Sequence, residues 1–152
     1  MAENLRRIAF GTAIAVLALV GARGAAAQTV TTAALQSWLS RYEQAWETRS
    51  ASAAAALFSE DAVYREAPFE KPMQGRSAIS EYWSTVTADQ RDIDFRYEVI
   101  AVNGSTGVAH WSAVFKLEST GERVGLDGVF VLSFNAAGQC TVLHEWWQAG
   151  AG

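Results

Sequence analysis

The chain has little with which to cross-link or stiffen itself. One cysteine in 152 residues rules out an internal disulfide, so Cys140 is a small buried apolar residue or a free thiol, open to pairing between chains. Two prolines, Pro68 and Pro72, fall in one short stretch, and regular structure is interrupted there and nowhere else by proline. Basic residues are scarce, 12 against 16 acidic, for a net charge of −4. That balance argues against a nucleic-acid partner, because affinity for nucleic acid comes from neutralising phosphates with Lys and Arg.

Other absences narrow the chemistry. The two histidines, His110 and His144, show no ligand spacing with other His, Cys or acidic residues, so no metal site is expected. Neither a Ser-His-Asp nor a Cys-His arrangement can be assembled. The glycines punctuate turns instead of forming a phosphate-cradling loop after a strand. No cofactor is expected.

Only one long hydrophobic run exists, Ile8 to Ala22, and Gly11, Thr12 and Gly21 dilute it. Arg6 and Arg7 precede it, and Ala25-Ala26-Ala27 stands before Gln28. A charged start, an apolar middle and a small-residue end are the order of an export signal. The run is too short and mixed for a membrane span. Residues 1–27 are therefore read as a signal peptide, by the general or the twin-arginine route, and 28–152 as one domain. The mature chain is expected to be periplasmic or secreted, with no membrane contact after cleavage.

What remains is rich in aromatic residues, including six tryptophans. Leu35, Trp38, Leu39, Tyr42, Ala45 and Trp46 recur at helical steps, predicting a helix over 33–49 with Thr31 or Thr32 as cap. A second short helix is expected over 53–58, a strand over 62–66, a Pro68–Gly75 loop, and a third helix over 77–85 carrying Ile79, Tyr82 and Trp83 on one side. Beyond it the period is two: Phe95, Tyr97 and Val99, then Trp111, Ala113, Phe115 and Leu117, alternate with polar residues. Asn103-Gly104, Thr120-Gly121 and Asn135–Gly138 mark three reversals. Strands over 123–134 and 140–148 alternate less clearly, and an apolar outer sheet face of that kind suits a homodimer. The fold class is α+β: a curved antiparallel sheet wrapped around about three N-terminal helices, forming a cone-shaped pocket.

Glu66 shares a strand face with Tyr64, and Glu145 shares one with Leu143 and Trp147. A carboxylate in an apolar cavity acquires a raised pKa suited to general base work. The residues leave other readings open: Glu66 paired with Arg65, Arg76 or Arg96, and Glu145 paired or bonded to the Pro68–Gly75 loop. Tyr42 lies on the core stripe of the first helix, where a hydroxyl usually finds a local partner.

The order of elements, with Ala62-Val63-Tyr64, Pro72, Gly75, Ile79 and Tyr82-Trp83, resembles the nuclear transport factor 2-like superfamily, in its ketosteroid isomerase and SnoaL-like branch. The resemblance spans the mature chain. It implies a bent sheet closed over helices with an apolar cavity at the open end. It places the family's oxyanion-donating tyrosine on Tyr42, its general base on Glu66, its second donor, normally a protonated Asp, on Phe130, and a cavity tryptophan on Trp147. Phe130 cannot donate, so a true steroid isomerase is not implied. The expected site is Glu66, Tyr42 and Glu145 as catalytic groups, with Tyr64, Trp111, Phe115, Phe130 and Trp147 lining the cavity around a small apolar ligand. The implied activity is a cofactor-independent isomerase, lyase or cyclase acting on a small carbonyl compound. The alternative is a non-catalytic binding or dimerising module of the same fold.

Overall fold

A computed structural model describes residues 29–151; the expected export signal lies outside the described residues. The first helix, α1 (Thr32–Glu47), starts where the Thr31 hydroxyl accepts from the Ala34 amide at 3.1 Å. That contact satisfies one of the free amides of the first turn. Its buried residues are Leu35, Trp38, Leu39, Tyr42, Ala45 and Trp46, the stripe set by the 3.6-residue period.

The next helix differs from expectation. α2 runs Ala51–Ala56, with Ser50 as its cap, and Phe58 already belongs to strand β1 (Phe58–Arg65). Phe58 pairs with Cys140 of strand β6 (Cys140–Ala151), and its carbonyl accepts from the Arg76 guanidinium at 2.7 and 3.0 Å. These long-range partners override a helical preference that the local alanines favour. Glu66 follows β1 instead of ending it. After the proline loop, a two-residue strand β2 (Met73–Gln74), unforeseen in the sequence, folds back on β1, and α3 spans Arg76–Val86.

Three long strands complete the sheet: β3 (Gln90–Asn103), β4 (Thr106–Leu117) and β5 (Arg123–Phe134). The six strands are ordered β2-β1-β6-β5-β4-β3. Gly104, Gly121 and Gly138 take positive φ at the three reversals, which glycine does without a steric penalty. β3 to β6 pair antiparallel, but β1 runs parallel to β6. The sheet is therefore mixed. Hairpin turns reveal only sequential neighbours, whereas β1 docks on the last strand after the whole chain has returned.

The two sheet faces differ in kind. The inner face carries Phe95, Trp111, Phe130, Leu132 and Leu143, all buried under the helices. The outer face carries Val108, Val129, Val131 and Val142, each half-buried, and Trp146, which is 47% exposed. β6 runs on to Ala151, past the expected end at 148, because its last residues pair with Val124–Leu126 of β5.

Candidate active site

The open end of the cone is a recess of about 310 Å³. Each element contributes to it through the face its period turns inward. α1 supplies Tyr42 and Trp46, β1 and the residue after it supply Tyr64 and Glu66, and α3 supplies Tyr82 and Trp83. β4 adds Trp111 and Phe115, and β6 adds Glu145 and Trp147.

Room for Trp111 and Trp147 depends on Gly128 of β5. A Cβ there would stand 2.9 Å from Trp111 Cε2, 2.9 Å from the Trp147 Cβ and 2.6 Å from the Trp146 carbonyl. Only a residue without a side chain lets β5 pass beneath both indoles.

The two acids occupy different depths. Glu145 is buried, 5% exposed, and accepts a 2.8 Å hydrogen bond from the Tyr64 hydroxyl. Tyr64 and Tyr42 hydroxyls lie 3.2 Å apart. With the Tyr64 proton directed at Glu145, Tyr64 accepts from Tyr42, giving a buried relay from Tyr42 through Tyr64 to Glu145. Burial pushes the Glu145 carboxyl up to about 8, the Tyr64 bond lowers it in part, and Glu66 raises it again. Glu145 is thus a carboxylic acid near neutral pH, with one oxygen bonded to Tyr64.

Glu66 sits at the rim, half-buried. It borders both the recess and a shallower groove beside Pro68 and Trp146. Burial raises its pKa, the neighbouring Tyr82 hydroxyl opposes that rise, and Glu70 adds to it. The arginines that could have clamped Glu66 are occupied elsewhere: Arg76 pairs with Glu60, Arg96 with Asp94 at 3.0 Å, and Arg65 donates to the Glu70 carbonyl. Glu145 likewise bonds Tyr64 and makes no hydrogen bond to the Pro68–Gly75 loop.

The structure brings Glu66, Tyr42, Glu145, Tyr64, Trp111, Phe115 and Trp147 to one recess. Phe130 is the exception and is corrected here. It is fully buried, stacked on Trp111 at 5.1 Å and edge-on to Tyr42 at 5.3 Å, so it lies beneath the wall and does not border the recess. Alternation assigned it to the inner face correctly, but the larger indole of Trp111 covers it.

Other bordering residues had no assigned role in the sequence. Tyr82 and Trp83 were legible as one side of a helix, whereas Gln90, which accepts from Trp46 Nε1 at 2.7 Å, carried no signal. Trp83 and Trp111 keep buried indole N–H groups without an oxygen partner. Trp83 stands edge-on to Tyr42 and Trp46, at 87° and 89°, so ring faces surround it. Among the described residues no three His, Cys, Asp or Glu side chains converge as metal ligands would. His110 instead pairs with Asp127 on the outer face at 2.9 Å.

A SnoaL-like domain, as defined for that family, matches residues 39–143, which include most of the recess. The chain belongs to the SnoaL-like family. A curated relative, the steroid Delta-isomerase of Nocardioides simplex, is 26% identical over 112 residues, covering 74% of this chain and 88% of its own. Among solved structures, the epoxide hydrolase/cyclase-like enzyme SalBIII, of pyran ring formation in the polyether salinomycin, superposes with a TM-score of 0.67 at 17% identity. The match covers 77% of this chain and 95% of SalBIII. A ketosteroid isomerase-like protein from Erwinia carotovora atroseptica gives 0.60 at 17% identity, covering 74% and 92%. At such identities the likeness establishes the fold, a ketosteroid isomerase-like SnoaL-like domain, and the chemistry is argued from the site.

Proposed function

We propose that this SnoaL-like domain is a cofactor-independent proton-transfer enzyme, an isomerase, lyase or cyclase acting on a small apolar carbonyl compound. One observation carries the reading: two carboxyl groups share an aromatic recess, one at the rim and one buried on a tyrosine relay. Environments that separate two acids assign them different roles. Glu66, nearer solvent, is the carboxylate. It takes a proton from the carbon beside the carbonyl, and the released electron pair moves onto the carbonyl oxygen. Glu145, protonated, donates a hydrogen bond to that oxygen, while Tyr64 and Tyr42 hold Glu145 in place. Glu66 then returns its proton to a different carbon, so atoms and charge balance without a co-reactant.

The resemblance placed the family's second donor at Phe130, which has no proton to give. Phe130 and Glu145 are cross-strand partners on β5 and β6. In this reading the missing acid stands one strand over. Tyr42 accordingly acts through Tyr64 instead of touching the substrate.

The test is conjugation of a β,γ-unsaturated cyclic ketone, followed by ultraviolet absorbance. Glu66→Gln is expected to lower kcat by about 10²-fold or more. The pH profile supplies a second readout. The reaction requires Glu66 ionised and Glu145 protonated, so the rate rises through the Glu66 pKa and falls above about 8. Glu145→Gln should remove that alkaline fall. Unchanged turnover in Glu66→Gln would sink the proposal.

We further propose that the chain is exported after cleavage before Gln28 and pairs with a second copy through the valine-rich outer face of β4, β5 and β6. The order of residues 6–27 supports the first, and the half-exposed apolar face supports the second.

A further inference from the structure

We propose that the recess is also a binding site for organic ammonium ions, an ammonium centre carried on a small apolar frame. Its residue inventory is one-sided. Every residue bordering it is described; none is Lys, Arg or His, and two carry carboxyl groups, Glu66 and Glu145. Half of the bordering residues are aromatic. A buried or half-buried carboxylate normally has a cationic or multiple-donor partner, because desolvating an anion is otherwise expensive. Here Glu66 has the Tyr82 hydroxyl beside it in the recess and no ion pair with an arginine among the described residues.

Aromatic ring faces carry partial negative charge and attract an ammonium within about 6 Å of the ring centre. Tyr82, Trp83, Tyr64 and Trp147 supply such rings beside the two acids. The chain as a whole is acidic, with a net charge of −4, which favours association with cations over anions. A carbonyl compound exploits the hydrogen-bonding ability of the recess but leaves its negative character unmatched. An ammonium ion matches both the rings and the rim carboxylate.

Proton linkage sharpens the inference. Glu145 is faced by Tyr64 from β1, Tyr42 from α1, Tyr82 from α3 and Glu66 from the segment after β1; β5 presents uncharged Phe130. No neighbouring cation stabilises its anion. A bound ammonium would do so, and binding would expel the proton. Affinity for a permanent cation therefore rises as pH increases through the Glu145 transition near 8, whereas affinity for a neutral ligand does not.

The experiment uses the full domain and two probes of the same shape: benzyltrimethylammonium and its neutral carbon isostere, neopentylbenzene. Tryptophan fluorescence reads binding at pH 6.5 and 9. The cation is expected to bind at least about tenfold tighter than the isostere, with a margin that widens at pH 9. Glu66→Gln should remove most of the margin at pH 6.5, and Glu145→Gln should abolish the widening, each margin being read against the isostere in the same variant. Should either variant fail to fold, the wild-type pH dependence with the two probes still decides. Equal binding of the two probes, or a margin that survives in both variants, overturns the proposal. Turnover is not needed for this result, so a failed ketone assay leaves it standing and a failed ammonium assay leaves the proton-transfer reading intact.

Discussion

At the residue scale, Glu145 is the carboxyl group that folding alters most. Its pKa moves from an ordinary carboxylate value of 4.5 to about 8 because the recess withdraws it from water. The folded state thus holds a proton that the unfolded chain releases. Stability associated with this group is complete below about pH 4.5, is lost as pH rises toward 8, and is level above that. Wild-type protein should become less stable across this window, by at most about 1.4 kcal/mol per pH unit. Glu145→Gln, which cannot ionise, should show a flatter profile and exceed wild type at pH 8. Urea melts at pH 5, 6.5 and 8 measure both, and parallel profiles would contradict the assignment. Sequence alternation was enough to turn Glu145 inward. It could not reveal the Tyr64 bond, because residues 64 and 145 meet only when β1 docks beside β6.

At the element scale, β5 carries the strictest local demand. Gly128→Ala introduces a Cβ 2.6 Å from the Trp146 carbonyl and 2.9 Å from two indole side chains. Backbone on a paired strand cannot yield as a flexible side chain would. The substitution should cost about 1–3 kcal/mol and blue- or red-shift the tryptophan emission as Trp111 and Trp147 move. A thermal melt with an emission spectrum checks it; wild-type values in both would show the strands adapting. The elements themselves were unevenly legible. α1 was read almost to its ends, because a 3.6-residue stripe and a hydroxyl cap are both local signals. The short alanine helix was misplaced by two residues at each end, and β1 began four residues before its expected start. There the deciding contacts, Arg76 on the Phe58 carbonyl and Cys140 beside Phe58, come from far along the chain.

At the scale of the whole molecule, one face of the sheet is turned to the recess and the other carries half-buried valines. The outer valines are only half-covered in a single chain, and β-sheet faces of this composition stay soluble when a second layer packs on them. Protein recovered from the periplasm of an expressing bacterium should begin at Gln28 by mass and sediment as a dimer. Val131→Lys should shift it to monomer while leaving the recess intact, since Val131 points away from it. A monomeric wild type would remove the dimer from consideration, and an uncleaved chain would remove the export signal.

Read alone, the sequence determined the α+β class, the three hairpin reversals, the inward stripe of α1 and the inward turn of Glu145, because these follow from backbone periods acting over a few residues. Tertiary structure decided the rest. It set β1 parallel to β6, sealed Phe130 beneath Trp111, engaged Arg65, Arg76 and Arg96 away from Glu66, and joined Tyr42 to Glu145 through Tyr64. Each of those outcomes depends on which distant surfaces exclude water from one another, and no local pattern encodes that.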